Sequence, residues 1–223
     1  GEALARWKHP QKGMISPGDF IPIFEKNGFI RFLDYYIWEE TCKIIAAMKR
    51  QGYDSYPISI NVSRAHFYRN EFQHVLKELV EKYKLKTEDL ELEITESIYV
   101  EDSDLINTRI QELRDMGFKV AMDDFGSGYS SLNMLKEIPI DIIKLDLKFL
   151  DSEENVEKSH KILDALVDLA RQLELNVVIE GVETEEQVKF LQGIGEMSAQ
   201  GYYFSRPLER RKYEELLILD NIT

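Results

Sequence analysis

Phe118-Lys119-Val120-Ala121-Met122-Asp123-Asp124-Phe125-Gly126-Ser127-Gly128 is an apolar run that ends in two adjacent carboxylates and a glycine-bearing turn. Two like charges at the mouth of a buried strand are costly unless something positive lies near them. A divalent cation, or a pair of cations bridged by one carboxylate, is the cheapest remedy. Taken alone, the Asp-Asp pair reads more readily as a solvated turn followed by a helix cap. What decides between the two is how the other strands along the chain end.

Working outward, short apolar stretches alternate with amphipathic ones. The strands expected are Ala3–Trp7, Ile58–Val62, Leu90–Ile94, Lys119–Asp123, Ile142–Leu145, Val177–Ile179 and Gly201–Phe204. Helical patterns lie between them at Leu33–Lys49, Glu71–Tyr83, Leu105–Met116, Leu132–Glu137, Glu157–Leu173 and Glu185–Leu191. Leu105, Ile106, Ile110, Leu113 and Met116 recur with the helical period, Thr184 with Gln187 forms a capping box, and Pro139 stops the helix before Ile142. Such alternation implies parallel strands joined by right-handed crossovers. The fold class expected is α/β, a TIM-type (β/α)8 barrel, for which about 250 residues is typical. Seven strands are visible and the chain opens inside the first. The expectation is therefore a single domain over residues 1–223, clipped at its N-terminus and lacking its most N-terminal strand.

Bulk properties exclude several functions. A formal charge of −13 argues against a broad nucleic-acid interface, which needs a basic footprint. Cys42 is the only cysteine, so no intrachain disulfide forms and a reducing compartment suits the chain. No apolar run approaches the roughly 20 residues that cross a bilayer. The expected address is cytoplasmic, with no membrane contact by this domain, although a parent protein could be membrane-anchored.

The strand ends carry the chemistry, because barrel enzymes place their functional groups there. Asn61 follows Ile58-Ser59-Ile60. Glu93 and Glu96 lie within Leu90-Glu91-Leu92-Glu93-Ile94-Thr95-Glu96. Asp123 and Asp124 end the next strand, and the one after it carries Lys144 followed by Asp146. Glu180 ends Val177-Val178-Ile179, with Glu183 one turn on, and Gln200 precedes Gly201-Tyr202-Tyr203-Phe204. In a barrel these positions meet, and hard oxygen donors select Mg²⁺ or Mn²⁺ over Zn²⁺. His9, His66, His74 and His160 show no metal-binding spacing and read as surface or helix-face residues.

Glu2-Ala3-Leu4-Ala5-Arg6-Trp7 resembles the signature that names the EAL domains, bacterial phosphodiesterases of cyclic di-GMP. The resemblance continues, in order, through Asn61-Val62-Ser63, Glu91 to Ser97, Asp123 to Leu132, Ile143-Lys144-Leu145-Asp146, Glu180 to Thr184 and Gln200 to Pro207. It implies the EAL variant of the barrel and a set of roles. Glu2, Asn61, Glu93 and Asp123 would hold a first metal. Asp123 would bridge to a second, supported by Asp124 and Glu180. Lys144 would contact the attacking water and Gln200 would hold water nearby, so that Glu2, Lys144, Glu180 and Gln200 form the catalytic set. Arg6 would touch a substrate phosphate, with Leu4, Asp146, Arg206 and Pro207 also binding substrate. Glu96 and Glu183 would anchor the loop from Phe125 to Ser131, which in the family also helps form a dimer contact. Ser127 stands where threonine is common and Leu145 where isoleucine is; neither change removes a ligand.

The function implied is hydrolysis of cyclic di-GMP to linear 5′-pGpG by a metal-dependent phosphodiesterase using two Mg²⁺ or Mn²⁺ ions, with Ca²⁺ inhibitory. The partners implied are a homodimer mate and an upstream sensory or GGDEF domain in the parent, with no nucleic-acid polymer. The alternative is a non-catalytic cyclic di-GMP receptor, which would show losses among Glu2, Asn61, Asp123, Lys144 or Glu180; none is lost. An enolase-like lyase or isomerase also uses strand-end carboxylates and a lysine, but the Asp123-Asp124 pair suits a bridged dinuclear site better.

Overall fold

Apolar side chains at three- and four-residue intervals, separated by short runs of β-branched residues, set the layout. The computed structural model describes residues 1–53, 56–69, 71–100, 102–126, 134–147 and 156–220. These fall into two compact units, the first being Gly1–Ile94, Gln111–Lys119 and Glu209–Thr223, the second Thr95–Ile110 and Val120–Leu208.

The first unit opens with the hairpin β1 (Trp7–His9) and β2 (Gly13–Ile15), followed by α1 (Pro17–Asn27) and α2 (Ile30–Arg50). Then come β3 (Ile58–Asn61), α3 (Phe72–Tyr83) and β4 (Leu90–Thr95). Helix α2 buries Ile30, Asp34, Trp38, Cys42 and Ile45, a stripe with the helical period. Phe72, Leu76, Leu79 and Val80 form the matching stripe on α3. Strands β3 and β4 pair in parallel with Ser59 opposite Glu91 and Asn61 opposite Glu93. The apolar Ile58, Ile60, Leu90, Leu92 and Ile94 are all buried.

The second unit holds most of β5 (Lys119–Asp123), then β6 (Ile142–Asp146), α5 (Val156–Gln172), β7 (Asn176–Glu180), α6 (Glu185–Ile194) and the two-residue β8 (Ser198–Ala199). Helix α4 (Ser103–Asp115) contributes to both units, and α7 (Arg210–Asp220) belongs to the first. Strands β5 to β8 pair in parallel in chain order. Their entry is stitched by Asp141, whose N–H donates to Val120 O while its own carbonyl accepts from Asn176 N–H. The capping box at the start of α6 forms as expected, with Gln187 N–H donating to Thr184 Oγ1 at 3.2 Å and Thr184 N–H to Gln187 Oε1 at 3.0 Å.

Three expectations change. The stretch Ala3–Trp7 is not a full strand: Glu2 bridges Ser59 in parallel, and regular pairing begins only at Trp7, in the hairpin. The strand expected at Gly201–Phe204 is a series of turns, with β8 just upstream of it. A Cβ on Gly201 would collide with the backbone O and N of Val182, so only glycine lets the chain fold back there. His66, read as surface or helix-face, is 1% exposed. Helices α1 and α7 were not expected. Part of the helix expected at Leu132–Glu137 and much of the loop from Phe125 to Ser131 lie outside the described residues. No helix among the described residues is long and apolar enough to cross a membrane.

Cys42 is fully buried in α2, and burial, reinforced by the charge of Glu39, pushes its thiol up to about 12. Only the thiolate is nucleophilic, so a chromogenic disulfide reagent at pH 8 will find no fast-reacting thiol in the native protein and one after denaturation.

Candidate functional site

Each unit gathers oxygen donors at the carboxyl ends of its strands. In the first, the Glu2–Ser59 bridge lays the N-terminal segment beside β3, where Ala3 N–H donates to Ser59 O at 2.9 Å. Side chains alternate along a strand, so Ser59 and Asn61 share a face, and register places Glu93 opposite Asn61. Asn61 Nδ2 reaches Glu2 Oε1 at 3.5 Å, while Glu93 is 2% exposed. Glu2 and Asn61 therefore make side-chain contact, with Glu93 alongside Asn61 in register. Leu4 and Arg6 are exposed on the same N-terminal segment, with the Arg6 guanidinium donating to Ala5 O at 2.9 Å.

In the second unit the centre is Lys144. It rises from the middle of β6 and is 3% exposed, a burial that an ammonium tolerates only when paired. Its Nζ lies 2.8 Å from Glu180 Oε1 and 3.5 Å from Asp123 Oδ1. Gln200 Nε2 donates to Glu180 Oε1 at 3.0 Å. Gln200 is held by its own backbone, with its N–H on Ile179 O and its carbonyl accepting from Val182 N–H. Asp146 is the register partner of Glu180. Gly181, with φ 73°, follows directly, and a Cβ there would stand 2.8 Å from Asp146 Oδ1.

Asp124 takes the left-handed conformation with φ 55°, which an aspartate adopts more readily than most residues. Its N–H donates to Asp123 Oδ1 at 2.9 Å. The turn is then tied at two points, Phe125 N–H to Lys144 O at 3.3 Å and Gly126 N–H to Glu96 Oε2 at 3.1 Å. Glu96 thus contacts the chain at Gly126. Glu183 has an exposed side chain, and its backbone N–H donates to Gln187 Oε1 at 2.7 Å. Arg206 stacks over the Tyr202 ring at 4.7 Å in an exposed segment that ends with Pro207.

The donor chemistry fits a hard divalent cation: carboxylates and one amide, with no thiol or imidazole among them. Among the described residues no group of three His, Cys, Asp or Glu side chains is drawn close enough to hold an ion. In the second unit the positive charge between Asp123 and Glu180 is the Lys144 ammonium itself. The spacing of apolar runs points to Asn61, Glu93, Glu96, Asp123, Asp124, Lys144, Asp146, Glu180 and Gln200, whereas Glu2, Leu4, Arg6, Arg206 and Pro207 are named only through the family resemblance. It could not find that Ser59 and the Gly201–Val182 packing hold Glu2 and Gln200, because neither shows a periodic signal.

Parallel strands linked by helices, with carboxylates and amides at their carboxyl ends and a buried lysine reaching them from mid-strand, define an α/β protein of the TIM-type (β/α)8 class. The EAL-domain family profile matches residues 1–207, and the chain belongs to the EAL domain family. MucR of Pseudomonas aeruginosa, a bifunctional diguanylate cyclase/cyclic di-GMP phosphodiesterase, is 36% identical over 207 residues, covering 93% of this chain and 30% of that protein. NbdA of the same organism, a cyclic di-GMP phosphodiesterase, is 34% identical over 216 residues, covering 97% and 28%. The chain thus spans less than a third of the length of these curated relatives. A solved structure of the PaMucR phosphodiesterase in complex with c-di-GMP superposes with a TM-score of 0.88 at 35% identity, over 95% of this chain and 86% of that one.

Replacing Lys144 by Met leaves Asp123 and Glu180 without their buried counter-charge. Denaturant unfolding in EDTA is expected to show a loss of about 3 kcal/mol.

Proposed function

We propose that this chain hydrolyses cyclic di-GMP, opening one of its two phosphodiester bonds to give linear 5′-pGpG. The observation that carries this reading is the Lys144 ammonium held between Glu180 and Asp123 at the strand ends of an EAL fold. In the reaction a water adds to phosphorus, the bond to a ribose 3′ oxygen breaks, and that oxygen leaves with a proton. Lys144 supplies fixed positive charge where negative charge grows on the attacking oxygen and the phosphoryl group. Glu180, buttressed by Gln200, orients the ammonium and accepts a proton from water. Arg6 offers its guanidinium to a substrate phosphate, while Leu4, Asp146, Arg206 and Pro207 are proposed to contact the rest of the substrate.

Glu2, Asn61 and Glu93 in the first unit and Asp123, Asp124 and Glu180 in the second would hold two Mg²⁺ or Mn²⁺ ions. When bound, these supply the Lewis acidity and positive charge that a site so rich in carboxylates otherwise lacks for an anionic substrate. Glu96 and Glu183 are proposed anchors of the adjoining loop. A homodimer and an upstream sensory or GGDEF partner in a longer parent protein complete the reading.

Chromatography of products after incubation with cyclic di-GMP and Mg²⁺ or Mn²⁺ tests it. Linear 5′-pGpG is expected, Glu2→Ala and Asp123→Asn should abolish turnover, and Lys144→Ala should lower kcat by about 100-fold while sparing substrate binding. Binding of cyclic di-GMP with no product under either ion would replace the enzyme by a receptor. Ca²⁺ should inhibit, because its longer and looser oxygen coordination misplaces the reacting groups; a rate with Ca²⁺ equal to that with Mg²⁺ would contradict the assigned metal chemistry.

A further inference from the structure

One buried polar cluster lies outside this machinery, on the far side of Asn61. Helix α2 presents Asp34 and Trp38 four residues apart, and the turn after β3 presents His66. All three are buried, at 6%, 0% and 1% exposure respectively. Trp38 Nε1–H donates to Asn61 O at 2.9 Å. Asp34 Oδ2 accepts from Ser63 N–H at 3.2 Å and from His66 Nε2 at 2.9 Å. The His66 ring is packed by Trp38, Tyr35 and Phe72, with centroids 4.8, 5.1 and 5.6 Å away.

These contacts fall on consecutive peptide planes. The plane joining Asn61 to Val62 is pinned at both edges, its carbonyl by Trp38 and its N–H by Glu93 O at 2.8 Å. The next plane is pinned through Ser63 N–H by Asp34. Pairing of β3 with β4 holds the plane before Asn61 and Trp38 holds the plane after it, so the direction of the Asn61 Cα–Cβ bond is set between them. Asp34 fixes the plane beyond, and the amide points toward Glu2. A buried acid–imidazole pair is a poor device for stability alone, since apolar residues of similar volume often do as well or better. It is a good device for direction, because each hydrogen bond fails if the plane rotates.

We propose that Asp34, Trp38 and His66 are positioning residues that aim Asn61 as an oxygen donor to a divalent cation. This rests on the metal reading given under Proposed function. None of the three touches substrate or cation; each acts through the backbone of Asn61 to Ser63.

The test uses Trp38→Phe, which removes the indole donor and keeps an aromatic ring, together with His66→Leu and His66→Gln, which respectively remove and retain a side-chain N–H. Mn²⁺ binding is measured by titration calorimetry, and the Asn61 side-chain amide is followed by ¹⁵N NMR in EDTA. Trp38→Phe and His66→Leu are expected to weaken Mn²⁺ binding about tenfold, the lower end of what orienting partners contribute. Both should move the Asn61 amide resonance, and His66→Gln should restore both readouts. Unchanged Mn²⁺ affinity in Trp38→Phe and His66→Leu overturns the inference, whatever the amide does. Weakened binding in all three variants with the Asn61 amide unmoved assigns the loss to general loosening and also overturns it. A wild-type protein that takes up no Mn²⁺ sinks the metal reading itself, and this inference falls with it.

Discussion

The buried Lys144 ammonium is the constraint around which the second unit is organised. A charge on the middle of a strand must be paired where it stands, and here Glu180 and Asp123 pair it from the ends of two other strands. That requirement extends outward. Glu180 must be oriented, which Gln200 does, and Gln200 must sit close to Val182, which only Gly201 allows. A carboxylate, an amide and a glycine that look unrelated in sequence are therefore consequences of one cation.

The first unit meets a different problem. Glu2, Asn61 and Glu93 bring acidic and amide oxygen together, and their geometry is imposed from the backbone. The bridge at Ser59 places Glu2, parallel register places Glu93, and the contacts of Trp38 and Asp34 set the peptide planes after Asn61. Rigid elements hold oxygen donors with less conformational freedom than loops do, which is what a reaction demanding close geometry needs.

The aromatic run Tyr202-Tyr203-Phe204 shows where local reading misleads. Its composition is that of a strand, yet all three rings are exposed and the backbone turns. The reason lies in Gly201, whose approach to Val182 is a tertiary contact with no local signature. His66 misleads in the opposite sense, because its partner Asp34 lies 32 positions away on another element. The helix period finds apolar stripes, but a polar residue inside a stripe looks like an interruption until its partner is known.

What the amino-acid order determined alone was the alternation of buried strand and amphipathic helix, the carboxylates and amide that close those strands, the lysine within one of them, and the capping box at Thr184. Each of these depends on local periodicity or on residue type, both legible along the chain. Tertiary structure decided the register that sets Asn61 against Glu93, the ammonium contacts of Lys144, and the turn in place of a strand at Gly201. Those depend on distances between segments far apart in sequence, and such distances are set only when the packing of whole elements is complete.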